Sequence, residues 1–148
     1  MTRLLQTSGG WSAFILRIVL GIVFFAHGAQ LTLGWFGGHP FPQTLAALGK
    51  MGLPAPIAAL VILAQFLGGI GLIAGLLTRV AAIGIAAVMT GAIFTAHIHV
   101  GFFMNWFGQQ KGEGYEYHLL AISNAVALII LGGGNFSLDK MVSERTST

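Results

Sequence analysis

The sequence contains no cysteine and very little charge. None of its 148 residues is Cys, and only 7% are Asp, Glu, Lys or Arg. The lack of thiols excludes disulfides, thiolate metal sites and thiol–disulfide relays. The lack of charge excludes an ordinary soluble domain, in which about 25% of residues are charged. Lys and Arg are also scattered rather than gathered in a basic stripe, so no nucleic acid is expected as a partner.

Long apolar runs take the place of charge. Hydrophobic residues make up 55% of the chain, and the mean hydropathy is +0.84. A helix needs about 20 residues to cross a hydrocarbon core about 30 Å thick. Four runs are long enough and no segment remains for a soluble domain, so we expect one all-α membrane domain over residues 1–148, an antiparallel bundle of four transmembrane helices. The predicted spans are approximately 12–33, 54–77, 79–100 and 117–133.

The basic residues predict the orientation of this bundle. With four spans both termini lie on one side of the membrane, and that side holds five cations against two on the other. Positive residues are enriched in cytoplasmic loops, so both termini are predicted to be cytoplasmic. Arg17 is expected to extend its side chain to the inner headgroups. The five cations are Arg3, Arg17, Arg79, Lys140 and Arg145, and the two are Lys50 and Lys111.

Histidines lie in or beside the apolar runs, near their outer ends. An unpaired polar side chain facing lipid is costly, so imidazoles at this depth should face one another or a cavity. His27 and His97 differ in height by only about 5 Å, at about 1.5 Å per residue. At about 100° per residue His97 and His99 point in nearly opposite directions. We expect His97 to face the bundle interior and His99 the interface.

These positions predict a polar pocket in the outer half of the bundle, lined by several histidines. The alternative is that each imidazole only hydrogen-bonds a neighbouring helix and that the loop acids are only solvated. The candidate catalytic residues are His27, His97 and Glu116, and the candidate cofactor-binding residues are His27, Gln65, His97, Tyr115 and His118.

Glycine is abundant, with 22 residues, and many lie within the spans. Small residues spaced four apart let helices approach closely in lipid. Gly71 and Gly75 have this spacing, which makes them a candidate contact for a homo-oligomer. Between the first two spans, residues 44–52 are predicted to form a short interfacial helix.

Ordered phrases along nearly the whole chain resemble the DoxX family of small membrane proteins. They read "LRIVLGIVFFAHGAQL", "GWFGG", "LGGIGLIAGLLTRVAAI", "IFTAHIHVGFF", "GYEYHLL" and "GGGNFSLD". The resemblance implies a four-helix bundle in a bacterial inner membrane. It also implies an association with redox chemistry, because relatives include a subunit of a thiosulfate:quinone oxidoreductase and a membrane partner in an oxidative-stress complex. Leu31 and Gln65 stand where the family commonly has Lys and Glu, so this chain lacks two ionisable groups of the family pattern.

The residues and the resemblance favour a quinone-linked redox subunit or accessory protein. A quinone is apolar, reaches such a pocket through lipid, and carries two carbonyls that accept hydrogen bonds from imidazole or tyrosine. The chain has no flavin motif and no iron–sulfur ligand set, so electrons would come from a borrowed cofactor or a protein partner. Haem is a less favoured cofactor, and no compact metal motif is present. The alternatives are a non-catalytic scaffold of an enzyme complex and, less favoured, a transporter of small solutes.

Overall fold

The computed structural model describes residues 5–8 and 10–145, so Arg3 lies outside the described residues. The described chain is helical, with no strand beyond one isolated bridge between Leu33 and Pro40. Three of its helices are long and apolar enough to cross a membrane, and a fourth apolar helix is shorter. The helices are α1 (Gly10–Thr32), α2 (Phe41–Lys50), α3 (Ala55–Ala74), α4 (Thr78–Ala92), α5 (Glu116–Leu131) and α6 (Leu138–Arg145).

The predicted all-helical membrane domain is confirmed, and the helix ends differ from the predicted spans by at most three residues. α3 ends three residues early because Gly75 adopts a left-handed conformation with φ 68°. α4 continues as one turn of π-helix, Ile93–His97. α5 has 16 residues, about 24 Å at 1.5 Å per residue, which is shorter than a typical hydrocarbon core. A helix forms where residues 44–52 were predicted to be helical, but it is α2, which begins at Phe41 and ends at Lys50. Its position at the membrane interface stays a prediction.

The four long helices pack in a ring. α1 packs most extensively against α3, α4 packs against both α3 and α5, and a smaller contact between α1 and α5 closes the ring. The outward faces are also apolar, with Ile15, Val19 and Ile22 of α1 more than half exposed. Such all-round hydrophobicity is typical of helices in lipid. The enclosed core consists of Ala13, Leu20, Phe24, Leu72, Ala82, Ile85, Met89, Ala121, Ala125 and Leu128.

Two glycines allow α1 and α3 to touch backbone to backbone. A Cβ at Gly28 would overlap the backbone of Phe66, and a Cβ at Gly69 would overlap that of Phe25. Gly71 and Gly75 also lie against residues of their own chain. A Cβ at Gly71 would lie 3.1 Å from the Leu76 carbonyl, and Gly75 is buried against residues of its own chain. Gly75 is therefore not available to a second copy of the chain, while a contact through Gly71 and oligomerisation itself stay predictions.

Arg17 closes the inner end of the bundle, which we define as the end holding residues 75–78 and 132–139. Its side chain is fully buried and donates five hydrogen bonds to backbone carbonyls. Two of these carbonyls lie in the last turn of α3, where carbonyls lack the usual partner four residues on, although that of Leu72 also accepts from the Gly75 N–H at 3.2 Å. The prediction that Arg17 extends to the headgroups is wrong, because these bonds hold the guanidinium inside. The acceptors are Leu72 and Ile73 at 2.7 Å, Gly133 at 2.9 Å, Phe136 at 3.2 Å and Asn135 at 3.3 Å.

Asp139 caps the beginning of α4 from the other end of the chain. Its two carboxylate oxygens accept hydrogen bonds from the backbone N–H of Leu77 at 2.7 Å and of Thr78 at 2.8 Å. The first N–H groups of a helix lack partners within it, and a carboxylate there also interacts favourably with the helix dipole. The carboxylate is almost fully buried. The segment after α5 is thus fixed beneath the bundle by one buried cation and one buried anion.

Candidate functional site

The outer half of the bundle contains a cavity of about 890 Å³. It runs along the gap between α3 and α4 and is covered by α2, residues 51–53 and the loop between α4 and α5. Most of its wall is apolar. The predicted site residues that reach the wall are His27, Gln65, His97 and His118, joined by Tyr117 and Glu113.

His97 and His118 form a contacting pair on this wall. Their ring centroids are 4.2 Å apart, with the planes tilted by 44°. His97 ends the π-helical turn, in which the Ile98 N–H bonds the Ile93 carbonyl at 2.8 Å. Such turns shift the positions that follow them and are frequent at functional sites. The structure thus places His97 on the cavity and leaves His99 exposed and off the wall, as the helical spacing predicts.

The proton position on His97 follows from its hydrogen bond to the outer loop. Its Nδ1 lies 2.7 Å from the backbone carbonyl of Glu113. A carbonyl oxygen can only accept, so Nδ1 carries the hydrogen. In the neutral ring Nε2 is then left as a hydrogen-bond acceptor, with the imidazole orientation fixed from behind.

Two polar atoms beside this pair are buried without a partner in the described structure. They are Nδ1 of His118 and the hydroxyl of Tyr117. Buried polar groups are almost always hydrogen-bonded, so each exception requires an explanation. Both residues border the cavity, and a ligand with hydrogen-bonding groups would satisfy them. Tyr117 was not among the predicted site residues. The only signal for it was a tyrosine next to His118 at the start of an apolar run.

Gln65 and His27 border the cavity from α3 and α1. Gln65 is almost fully buried, and its side-chain amide donates to the Val61 carbonyl at 3.3 Å. His27 is exposed and lies on the wall. The fold therefore brings four of the predicted residues to one cavity. Their roles in binding or catalysis stay predictions.

Tyr115 and Glu116 are not on the wall of the cavity. The Glu116 carboxylate accepts hydrogen bonds from the backbone N–H of Met104 at 2.9 Å and from Nε1 of Trp106 at 3.3 Å. The Tyr115 ring contacts Phe102, with centroids 5.5 Å apart. Both side chains hold the outer loop in place over the cavity. The chemical roles predicted for them stay predictions.

The arrangement of the histidines bears on metal and haem binding. Within residues 5–8 and 10–145, no group of three or more His, Asp or Glu side chains is arranged to hold a metal ion. The ring partner of His97 is His118. Two imidazoles in direct contact leave no room for a porphyrin plane between them, so this pair cannot supply both axial ligands of a haem. Haem binding by His27 and His97, which lie at similar depth on parallel helices, stays a prediction.

Comparison with known proteins places the chain among membrane proteins. A model of the DoxX family matches residues 12–98. "Putative oxidoreductase CatD" of Bacillus subtilis is 28% identical over 86% of this chain and 84% of its own length. The inner membrane protein YqjF of Escherichia coli is 28% identical over 88% of this chain and 92% of its own. The uncharacterized membrane protein Rv3486 of Mycobacterium tuberculosis is 28% identical over 98% of this chain and 90% of its own. No solved structure matches the chain.

Proposed function

The chain belongs to the DoxX family of membrane proteins, and we propose that it binds a quinone in its outer cavity as the membrane subunit or accessory protein of a redox system. One observation carries the proposal: Tyr117 and His118 line a large apolar cavity, and the Tyr117 hydroxyl and His118 Nδ1 are buried without a partner among the described residues. The name of the CatD relative, an oxidoreductase, agrees with a redox role.

The proposed topology has four spans with both termini in the cytoplasm of a bacterium and the cavity in the outer half of the inner membrane. Arg79 and Lys140 lie at the inner end of the bundle, while Lys50 and Lys111 lie in the outer connections. This distribution supports the orientation because cationic residues accumulate on the cytoplasmic side. The relative YqjF is named as an inner membrane protein.

The residues of the cavity fit a quinone in size and chemistry. Pockets for small ligands are typically about 300–1,000 Å³, mostly apolar, with a few placed polar groups, and this cavity of about 890 Å³ has that character. A quinone ring is apolar and presents carbonyl oxygens that accept hydrogen bonds. Tyr117 and His118 would hold one such oxygen, since each can offer a hydrogen that has no acceptor in the protein.

The protein's own groups would handle protons rather than electrons. A bound quinone supplies a carrier that takes up two electrons and two protons. The electrons come from the reduced cofactor of a partner protein, because this chain has no thiol, flavin motif or iron–sulfur ligand set. His97 accepts and releases a proton at Nε2, since its Nδ1 hydrogen is held by the Glu113 carbonyl. His118, in ring contact with His97, links that proton to the interior of the cavity.

Quinone titration of the purified protein in lipid nanodiscs tests this proposal. We expect saturable binding by the wild type and binding at least about tenfold weaker for His118→Leu, which corresponds to one hydrogen bond of about 1.4 kcal/mol. The matched control is His99→Leu, because His99 is exposed and off the cavity wall. An absence of binding by the wild type, or an equal loss in both variants, would contradict the proposal.

A scaffold role is the second candidate, and the outer loop favours it. Trp106 and Phe107 at its tip are 77% and 87% exposed, and exposed aromatic side chains suit either an interfacial belt or a protein partner. Under this alternative, Phe107→Ser would abolish co-purification of a partner protein. His118→Leu would leave co-purification intact.

A further inference from the structure

We infer that the cavity receives its ligand sideways from the hydrocarbon core, through a portal between α3 and α4 whose width is set by Gly91. The portal is defined by Ile57 and Leu60 on α3, by Gly91 on α4 and by Thr95 in the π-helical turn that follows α4. All four line the cavity. The inference rests on the proposed function, since it gives the route and the selectivity for the same site.

α3 and α4 are close at the inner end and separate toward the outer end. A Cβ at Gly84 would lie 3.6 Å from the Cβ of Ala64, which is ordinary packing contact. Gly91 lies seven residues further along α4, on nearly the same face and about 10 Å higher. A Cβ there would meet no atom within 4 Å. The two helices have therefore parted between these levels.

The opening faces the surroundings of the bundle at a depth within the membrane. Leu60 is 63% exposed and Ile57 is 49% exposed, although both line the cavity. We place the opening of the cavity at their level, since side chains that are exposed also form its wall there. Leu60 lies five residues below the outer end of α3, which is about 8 Å into the bundle. At that depth the exterior of a membrane protein is hydrocarbon.

Neither backbone conformation nor packing explains a glycine at position 91. Its φ is not in the left-handed region, unlike that of Gly75, and it makes no close helix contact, unlike Gly28. A glycine within a helix destabilises it by about 1 kcal/mol relative to alanine. What the missing side chain provides at this place is open space on the rim of the cavity.

The rim also determines which ligands can pass. None of its four residues is charged, and the Thr95 hydroxyl already donates to the Gly91 carbonyl at 2.9 Å. A charged headgroup would lose its hydration there without gaining a partner. Polar groups of the wall outside this rim include those of His97, Tyr117 and His118. The arrangement selects a neutral ring that bears hydrogen-bond acceptors, with an apolar tail that stays in the portal and the adjoining lipid.

Association kinetics of two probes test the portal. The probes are a benzoquinone with a long alkyl tail and the tailless benzoquinone, mixed rapidly with the protein in nanodiscs. We expect Gly91→Phe to slow association of the tailed probe by at least about tenfold, because the ring fills the empty space of the rim. The tailless probe, which enters the cavity without leaving a tail in the portal, is slowed less. The matched control is Ile83→Phe, which adds an aromatic ring at an exposed position of α4 that does not line the cavity.

The outcomes separate the portal from the proposed function. Wild-type protein that binds neither probe overturns the quinone site itself. Wild-type binding with unchanged tailed-probe kinetics in Gly91→Phe overturns the portal and leaves the quinone site standing. Should Gly91→Phe fail to fold, Gly91→Leu serves as the second variant. It adds a strong helix former with a smaller side chain at the same open position, and the same slowing is expected.

Discussion

The buried polar groups at the two ends of the bundle differ in their hydrogen bonding. At the inner end Arg17 donates five hydrogen bonds and Asp139 accepts two at its carboxylate, all of them involving backbone groups. At the outer end the Tyr117 hydroxyl and His118 Nδ1 have no partner among the residues that the structure describes. At the inner end the buried polar side chains stabilise the fold. The outer end has buried polar groups that could bind the ligand we propose.

A missing partner alone does not mark a site, as two atoms of the inner end show. Thr78 Oγ1 and Arg79 Nε are also buried and unpaired. A Cβ at Gly133 would lie only 2.9 Å from Thr78 Oγ1, so no ligand fits beside it. The other Arg79 nitrogens bond the Ile129 and Gln6 carbonyls at 2.8 and 2.9 Å. The outer end differs because the residues that carry its unpaired atoms, Tyr117 and His118, line the cavity.

The largest effect is expected from Arg17→Met, which would break the inner end. The change leaves five carbonyls without their donor and the buried Asp139 without its nearby cation. Removing one partner from a buried charged network destabilises by about 3–5 kcal/mol. We expect a loss of that size in the free energy of unfolding, measured by denaturant titration in detergent.

Arg17→Lys is the informative companion to that variant. It keeps the charge but loses the planar guanidinium that reaches acceptors on two sides, so a partial loss is expected. If Arg17→Met unfolds at the same denaturant concentration as the wild type, the inner end is not held by this side chain and the comparison of the two ends fails.

A smaller effect is expected from Asp139→Ala, which removes the cap of α4. The backbone N–H groups of Leu77 and Thr78 lose their acceptor inside the protein. The loss of a capping side chain costs about 0.5–2 kcal/mol, and burial places this one at the upper part of that range. Thermal unfolding measures it. Lys140→Ala is the control, because the neighbouring side chain is partly exposed and paired only with Glu144 at 3.9 Å. Equal effects in both variants would contradict a specific cap.

The helices could be predicted from sequence because apolar length determines which segments can span lipid. The hydrogen bonds of Arg17 and Asp139 at the inner end could not be predicted, since their partners are backbone groups far along the chain. Arg17 bonds the Gly133 carbonyl across 116 positions, and Asp139 bonds the Leu77 N–H across 62. A backbone acceptor has no side-chain signature, so Arg17 resembles any cation at the end of a span.

The candidate site was predictable in part. Helical spacing predicts that His97 and His99 point in opposite directions, but the π-helical turn that ends at His97 has no such signal in the sequence. The apolar run after His118 places it at the top of a helix. Tyr115 precedes that helix and Glu116 begins it. The direction of their side chains therefore depends on the path of the outer loop. That path brings Met104 and Trp106 to the Glu116 carboxylate. Periodicity carries no information about such a path, and for the same reason it could not distinguish Tyr115 from Tyr117.

The smallest effect, and one of opposite sign, is expected from Tyr117→Phe at the outer end. The change removes a hydroxyl that is buried without a partner and keeps the ring that packs against His118 at 5.7 Å. An unpaired buried hydroxyl costs about 1–3 kcal/mol, so we expect a stability gain of about 1 kcal/mol together with weaker quinone binding. Gain in stability with loss of binding is typical of a site residue. Tyr115→Phe, off the cavity wall, should change neither quantity. A Tyr117→Phe protein that is less stable than the wild type would show that its hydroxyl serves the fold, and would remove the contrast between the two ends.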